Sequence, residues 1–146
     1  MTPYAPLIRT QADLLDFWIA ICHPLGWSRR DLWFCVLGED LRPTPLMTQI
    51  EDLPDEPDPR TVDNLGRIWQ QLLGESAGQI AALQCRPGPP PLTPVDRAWG
   101  RAMTATAAGH GVPLAVLHVA SDEEIVPLPA DEIGVCPDSP RGRERV

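Results

Sequence analysis

Lysine is missing from this chain. All 12 basic side chains are arginine, against 20 acidic ones, and the formal net charge is −8. Sequence-independent binding of DNA or RNA depends on neutralising phosphates, so this balance argues against a nucleic-acid partner. No C-x-x-C pair occurs among Cys22, Cys35, Cys85 and Cys136, which removes the zinc-ribbon and thioredoxin-type readings. No apolar run approaches the roughly 18 residues needed to span a bilayer. Met1 to Asp13 lacks a charged stretch followed by an apolar one, so no signal peptide and no membrane partner are expected. These absences together lead to the expectation of a cytoplasmic protein with reduced thiols.

What the chain does contain is ordinary for one globular domain. Its 146 residues suffice for a single core, and 43% hydrophobic against 22% charged residues is a normal balance. Arginine in place of lysine, 18 prolines and abundant alanine fit the codon usage of a GC-rich bacterial genome.

Periodicity predicts eight elements. Thr10-Gln11-Ala12-Asp13 is a capping-box-like helix start, and Leu14, Trp18, Ile21 and Leu25 follow at helical spacing until His23-Pro24 and Gly26 stop it. Leu32 to Leu37 reads as a strand, and Pro45 to Ile50 as an antiparallel edge strand, kept off the sheet centre by its prolines. Glu51 to Pro59, with five acidic residues and three prolines, reads as an exposed acidic loop. Thr61 to Leu73 is the second helix, with an apolar stripe through Val62, Leu65, Trp69 and Leu73 and a stop at Gly74. Gln79 to Cys85 is the third strand. Thr93, Pro94 and Asp96 fit N-cap, first helical position and capping acid of a third helix that ends near His110. Its small residues Ala98, Ala102 and Ala105 are expected to lie against a sheet. Pro113 to Ala120 and Ile125 to Leu128 complete the strands, and residues 137–146 read as a disordered basic tail. The expected architecture is an α/β domain over residues 1–136, a mixed sheet with helices packed on it. Of the five tryptophans, Trp18, Trp69 and Trp99 fall on helix stripes and read as core; Trp33 lies in a strand, and Trp27 is less clearly placed.

The stretch from Leu83 to Asp96 organises the rest, because it carries a strand end, a proline-filled loop and a helix start. Such a place, outside the carboxyl end of a strand, is where α/β proteins put their chemistry. The element order with this loop in its place resembles the JAB/MPN domain (cytidine-deaminase-like architecture), and most closely its RadC-like branch. The resemblance covers about residues 28–130, preceded by the N-terminal helix. That family carries His-x-His, a proline-containing spacer and Ser-x-x-Asp. Its two His and its Asp bind zinc, its Ser lies beside the bound water, and a Glu nearer the N-terminus is the general base. Here Gln84 and Arg86 stand at the His positions, Thr93 at the Ser and Asp96 at the Asp, and the spacer is one residue shorter than the family's. Asp31 is the nearest match for the Glu. The Gly111-Val112-Pro113-Leu114 run, with His118 and Ser121-Asp122 after it, is similar to the family's return strand.

Gln is a poor zinc ligand, Arg is a cation, and one carboxylate cannot hold zinc on its own. The resemblance therefore implies a catalytically inactive, metal-free and cofactor-free domain that acts as a binding or scaffolding module. Its partner would be an unidentified protein, and an exposed hairpin edge would allow a homodimer. The alternative is a hydrolase with relocated chemistry, built on Cys85, His118 and Asp96. Each residue also has a plain reading. Asp96 as a first-turn acid would contribute on the order of 1 kcal/mol. Cys85 is either an inert buried thiol or a nucleophile activated by the nearby helix start. His118 is a core histidine or Cys85's partner, and His110 suits a helix C-terminus. Arg86 is a solvated cation, or it pairs with Asp96 across the loop or holds an anion.

Overall fold

The computed structural model describes residues 5–22, 24–45, 47–90 and 92–129. His23, Cys136, the boundary at 136/137 and the tail over 137–146 lie outside the described residues. The elements run α1 (Gln11–Cys22), β1 (Asp31–Leu37), β2 (Thr48–Ile50), α2 (Pro59–Leu73), β3 (Gln79–Cys85), α3 (Pro94–Gly109), β4 (Leu117–Ala120) and β5 (Ile125–Leu128). The five strands form one mixed sheet in the order β2-β1-β3-β4-β5. β1 is antiparallel to both β2 and β3, β3 is parallel to β4, and β4 is antiparallel to β5. No described helix is long and apolar enough to cross a membrane.

Strand alternation gives the sheet two apolar faces. On one, Leu32, Phe34, Ile80, Ala82, Leu117 and Val119 pack with Leu65, Trp69, Trp99 and Met103 of α2 and α3. On the other, Cys35, Leu37, Ala81, Leu83, Cys85 and Ala120 pack with Leu14, Phe17, Trp18 and Cys22 of α1. The result, among the described residues, is three layers, with α1 on one side and the α2/α3 pair on the other. Central β3 is buried on both faces, which accounts for its unbroken apolar run.

Local signals set the helix starts. Thr10 and Asp13 cap α1 reciprocally, with Asp13 N–H donating to Thr10 Oγ1 at 3.0 Å and Thr10 N–H to Asp13 Oδ2 at 3.2 Å. Thr93 and Asp96 do the same for α3, with Pro94 behind the cap. α2 begins two residues earlier than its apolar stripe indicates. Asp58 is its N-cap, accepting Thr61 N–H at 3.0 Å, and Pro59 takes the first position.

Three expectations need correction. The loop over 51–58 is acidic and mostly exposed, but it is pinned. Leu53 is buried and donates its N–H to Arg30 O at 2.7 Å, and Trp99 Nε1 donates to Pro54 O at 2.9 Å. β2 and β4 are shorter than expected; ahead of β4, only an isolated bridge joins Leu114 to Ile80. Ala102 and Ala105 of α3 do not face the sheet. Trp99, Met103 and Ala107 fill that side, while Ala102, Ala105 and Gly109 line the seam with α2.

That seam is close. A Cβ on Gly66 would meet His110 Cδ2 and the Thr106 hydroxyl, which itself donates to Val62 O at 3.0 Å. Gly66→Ala improves helix propensity by about 1 kcal/mol. The clash nevertheless makes it a destabilising change, by about 1–3 kcal/mol of net loss in denaturant unfolding.

Candidate functional site

The carboxyl ends of parallel β3 and β4, the start of antiparallel β1 and the N-terminus of α3 come together at one end of the sheet. The residues singled out at 84, 86, 93 and 96 meet there, Arg86 and Thr93 on the Asp96 carboxylate and Gln84 on the Asp96 backbone carbonyl. Asp96 is completely buried. Arg86 Nε lies 3.1 Å from both of its oxygens, and Arg86 Nη2 lies 3.1 Å from Oδ2. Thr93 N–H donates to Oδ2 at 2.9 Å. Gln84 Nε2 donates to the Asp96 carbonyl at 3.0 Å. Arg86 thus pairs with Asp96 across the loop.

A fifth member was not apparent beforehand. Arg30 Nη1 donates to Asp96 Oδ1 at 2.9 Å and to Gln84 Oε1 at 2.7 Å. The signal was strand alternation: Arg30 precedes Leu32 and Phe34 by even steps, so it shares their face. Leu32 is paired with Gln84, and extending this antiparallel register places Arg30 opposite Arg86. Asp31, by the same alternation, falls on the α1 side. It receives Arg29 Nε at 3.1 Å and Asp52 N–H at 2.9 Å, and it does not join Asp96.

Burial would push the Asp96 carboxyl up. The Arg86 hydrogen bonds, the Thr93 N–H and Arg30 outweigh it and hold the carboxyl below the usual carboxylate range. Arg86 also shapes the loop, since its Nη1 donates to Pro87 O at 3.2 Å and Pro89 O at 3.0 Å. Asp122 fixes the loop from β4's side, accepting Gly88 N–H at 2.8 Å and Trp27 N–H at 3.1 Å. Above this floor lies an open cleft of about 780 Å³, bounded by Arg29, Arg30, Asp52, Asp55, the proline loop and the first turn of α3.

Cys85 and His118 are elsewhere. Side chains alternate across β3 and β4, so both point to the α1 layer, away from Asp96. No site can contain Cys85, His118 and Asp96 together. Among the described residues, no three His, Cys, Asp or Glu side chains form a group able to hold a metal. Burial, with the neighbouring Cys22 thiol, pushes the Cys85 thiol up, the reverse of activation by a helix start. Burial pushes His118 down to about 4, and the neutral ring donates Nδ1–H to Val116 O at 3.2 Å. His110 caps α3 and meets Asp63 Oδ1 at 2.9 Å through Nε2.

The carboxylate's true environment raises its expected contribution well above that of a first-turn acid. Asp96→Ala leaves two buried guanidinium groups without their counter-charge and is expected to cost about 3–5 kcal/mol. Thr93→Ala, which loses only the cap, is expected to cost about 1 kcal/mol. Denaturant unfolding of the two variants reads the difference, and equal losses would mean that the ion pair contributes little.

His118 generates a pH dependence. Its folded value, about 4, lies below the ordinary 6.5, so the unfolded chain binds the extra proton between these values. Its contribution is complete above the higher value and is lost as pH falls toward the lower one, by on the order of 3 kcal/mol. His118→Leu is expected to flatten unfolding free energy across that window, and an unchanged slope would assign the effect to other groups.

No protein-family model, curated protein or solved structure matches this chain.

Proposed function

We propose that this chain is a RadC-like JAB/MPN domain that has exchanged its metal for a guanidinium. On this reading it works in the cytoplasm as a catalytically inactive binding or scaffolding module for a protein partner. The observation that carries the reading is that Gln84 and Arg86 both bond Asp96, Arg86 at its carboxylate and Gln84 at its backbone carbonyl. These are the positions at which the family places its three ligands. Arg86 presents a fixed positive charge to the carboxylate, in the role of the cation. The order of elements supports the same reading: an antiparallel first hairpin, a helix, a third strand, a proline loop and a helix opened by Thr93-Pro94-Val95-Asp96.

Arg86 is suited to this exchange. A guanidinium stays protonated in proteins and carries donors on all sides, so it satisfies a carboxylate and two loop carbonyls at once. The substitution keeps the loop and the helix start in place and leaves no Lewis acid to polarise a substrate. Both free edges of the sheet contain proline or run short, at Pro127 in β5 and in three-residue β2. A protein partner is therefore better served by helix faces than by strand addition.

Metal analysis of untagged protein purified without chelator tests the proposal. The expected result is far less than one equivalent of zinc, with unfolding unchanged on adding zinc. Stoichiometric zinc, or stabilisation by it, would overturn the exchange of metal for Arg86.

A further inference from the structure

We propose that the cleft beside the proline loop binds one small oxyanion, a carboxylate or a phosphate group, through the guanidinium of Arg30. The proposal rests on the cleft itself and not on the family reading, and metal content does not bear on it.

The floor of the cleft holds two guanidinium groups against one buried carboxylate. Their commitments differ. Arg86 spends Nε and Nη2 on Asp96 and Nη1 on the loop carbonyls. Arg30 spends only Nη1, on Asp96 and Gln84. Arg30 lines the cleft although its side chain is only 9% exposed, and its Nε is buried with no hydrogen-bond partner. A buried donor without a partner is costly. The edge formed by Nε and Nη2 carries two parallel N–H groups, the geometry that grips a carboxylate or phosphate with both oxygens.

The N-terminus of α3 opens onto the same cleft through Thr93, Pro94 and Val95. Pro94 has no N–H, and the Asp96 N–H is taken by Thr93 Oγ1 at 3.1 Å. Val95 therefore supplies the first-turn donor on the cleft side, where the helix dipole favours negative charge. The rim limits the ligand. Asp52 and Asp55 border the cleft, and Arg29 is tied to Asp31 and Glu51. A single oxyanion seated on the floor suits this arrangement, whereas a polyphosphate would meet the acids at the rim.

Titration of the full chain with acetate, and separately with inorganic phosphate, at constant ionic strength tests the inference. NMR follows the Arg30 Nε–H and Val95 N–H resonances. Saturable shifts at both, with each ion displacing the other, are expected. Arg30→Lys keeps a positive charge but loses the two-donor edge, so binding is expected to weaken about tenfold or more. The proposal is overturned by the absence of saturable shifts at these two groups, or by Arg30→Lys that folds normally and binds as tightly. Should Arg30→Lys fail to fold, the titration of the unmodified chain decides alone, because the Arg30 Nε–H reports directly on the proposed contact.

Discussion

One buried carboxylate holds together parts of the chain that are far apart in sequence. Asp96 sits at the start of α3, Arg86 and Gln84 at the end of β3, and Arg30 just before β1. Burying these charges costs several kcal/mol per ion in desolvation, and only close, multiple hydrogen bonds can return it. The contacts meet that requirement: each Asp96 oxygen accepts from more than one donor. Because the partners come from two strands and a helix, the loop between β3 and α3 has one path that satisfies them all. Arg86 extends this control to the loop by holding the carbonyls of Pro87 and Pro89.

The sheet divides the chemistry of the molecule in two. On the α1 side lie Cys22, Cys35, Cys85 and His118, all buried. Desolvation disfavours the charged forms of Cys35, Cys85 and His118: the Cys35 thiol is pushed up to about 12, the Cys85 thiol is pushed up as well, and His118 is pushed down to about 4. A thiol that resists ionisation and an imidazole that resists protonation do not form a nucleophile and base pair. On the other side, at the end of the strands, the charged groups meet an open cleft. Recognition chemistry is therefore available where catalytic residues are sparse, and reactive residue types are enclosed where no ligand reaches.

Smaller anchors fix the surroundings of the cleft by the same logic of one carboxylate serving several backbone donors. Asp122 joins the proline loop to the Trp27 segment, and Asp31 joins Arg29 to the backbone of Asp52. Asp52 itself adopts a left-handed backbone (φ 62°), which turns the acidic loop back so that Leu53 can reach the core. The acidic stretch is thus a wall of the cleft rather than a detached linker.

Local chemistry was enough to place the elements. Capping pairs Thr10/Asp13 and Thr93/Asp96, the apolar runs of β1 and β3, and the stops at Gly74 and His110 all act within a few residues, so they are legible in a single sequence. So was the position of the candidate site, because a strand end followed by a proline loop and a capped helix is a local pattern. Partnership was not. Asp96 has the same neighbours in sequence whether it is a solvated first-turn acid or the buried centre of an ion-pair network. The register of β1 against β3 brings up Arg30 and turns Asp31 away. The sheet likewise sets Cys85 and His118 apart from Asp96, although Cys85 lies between Gln84 and Arg86 in the chain. A shift of one residue along a strand reverses the face a side chain occupies. Which residues share a site is therefore settled by strand pairing over long separations, where the sequence carries only a period and not a partner.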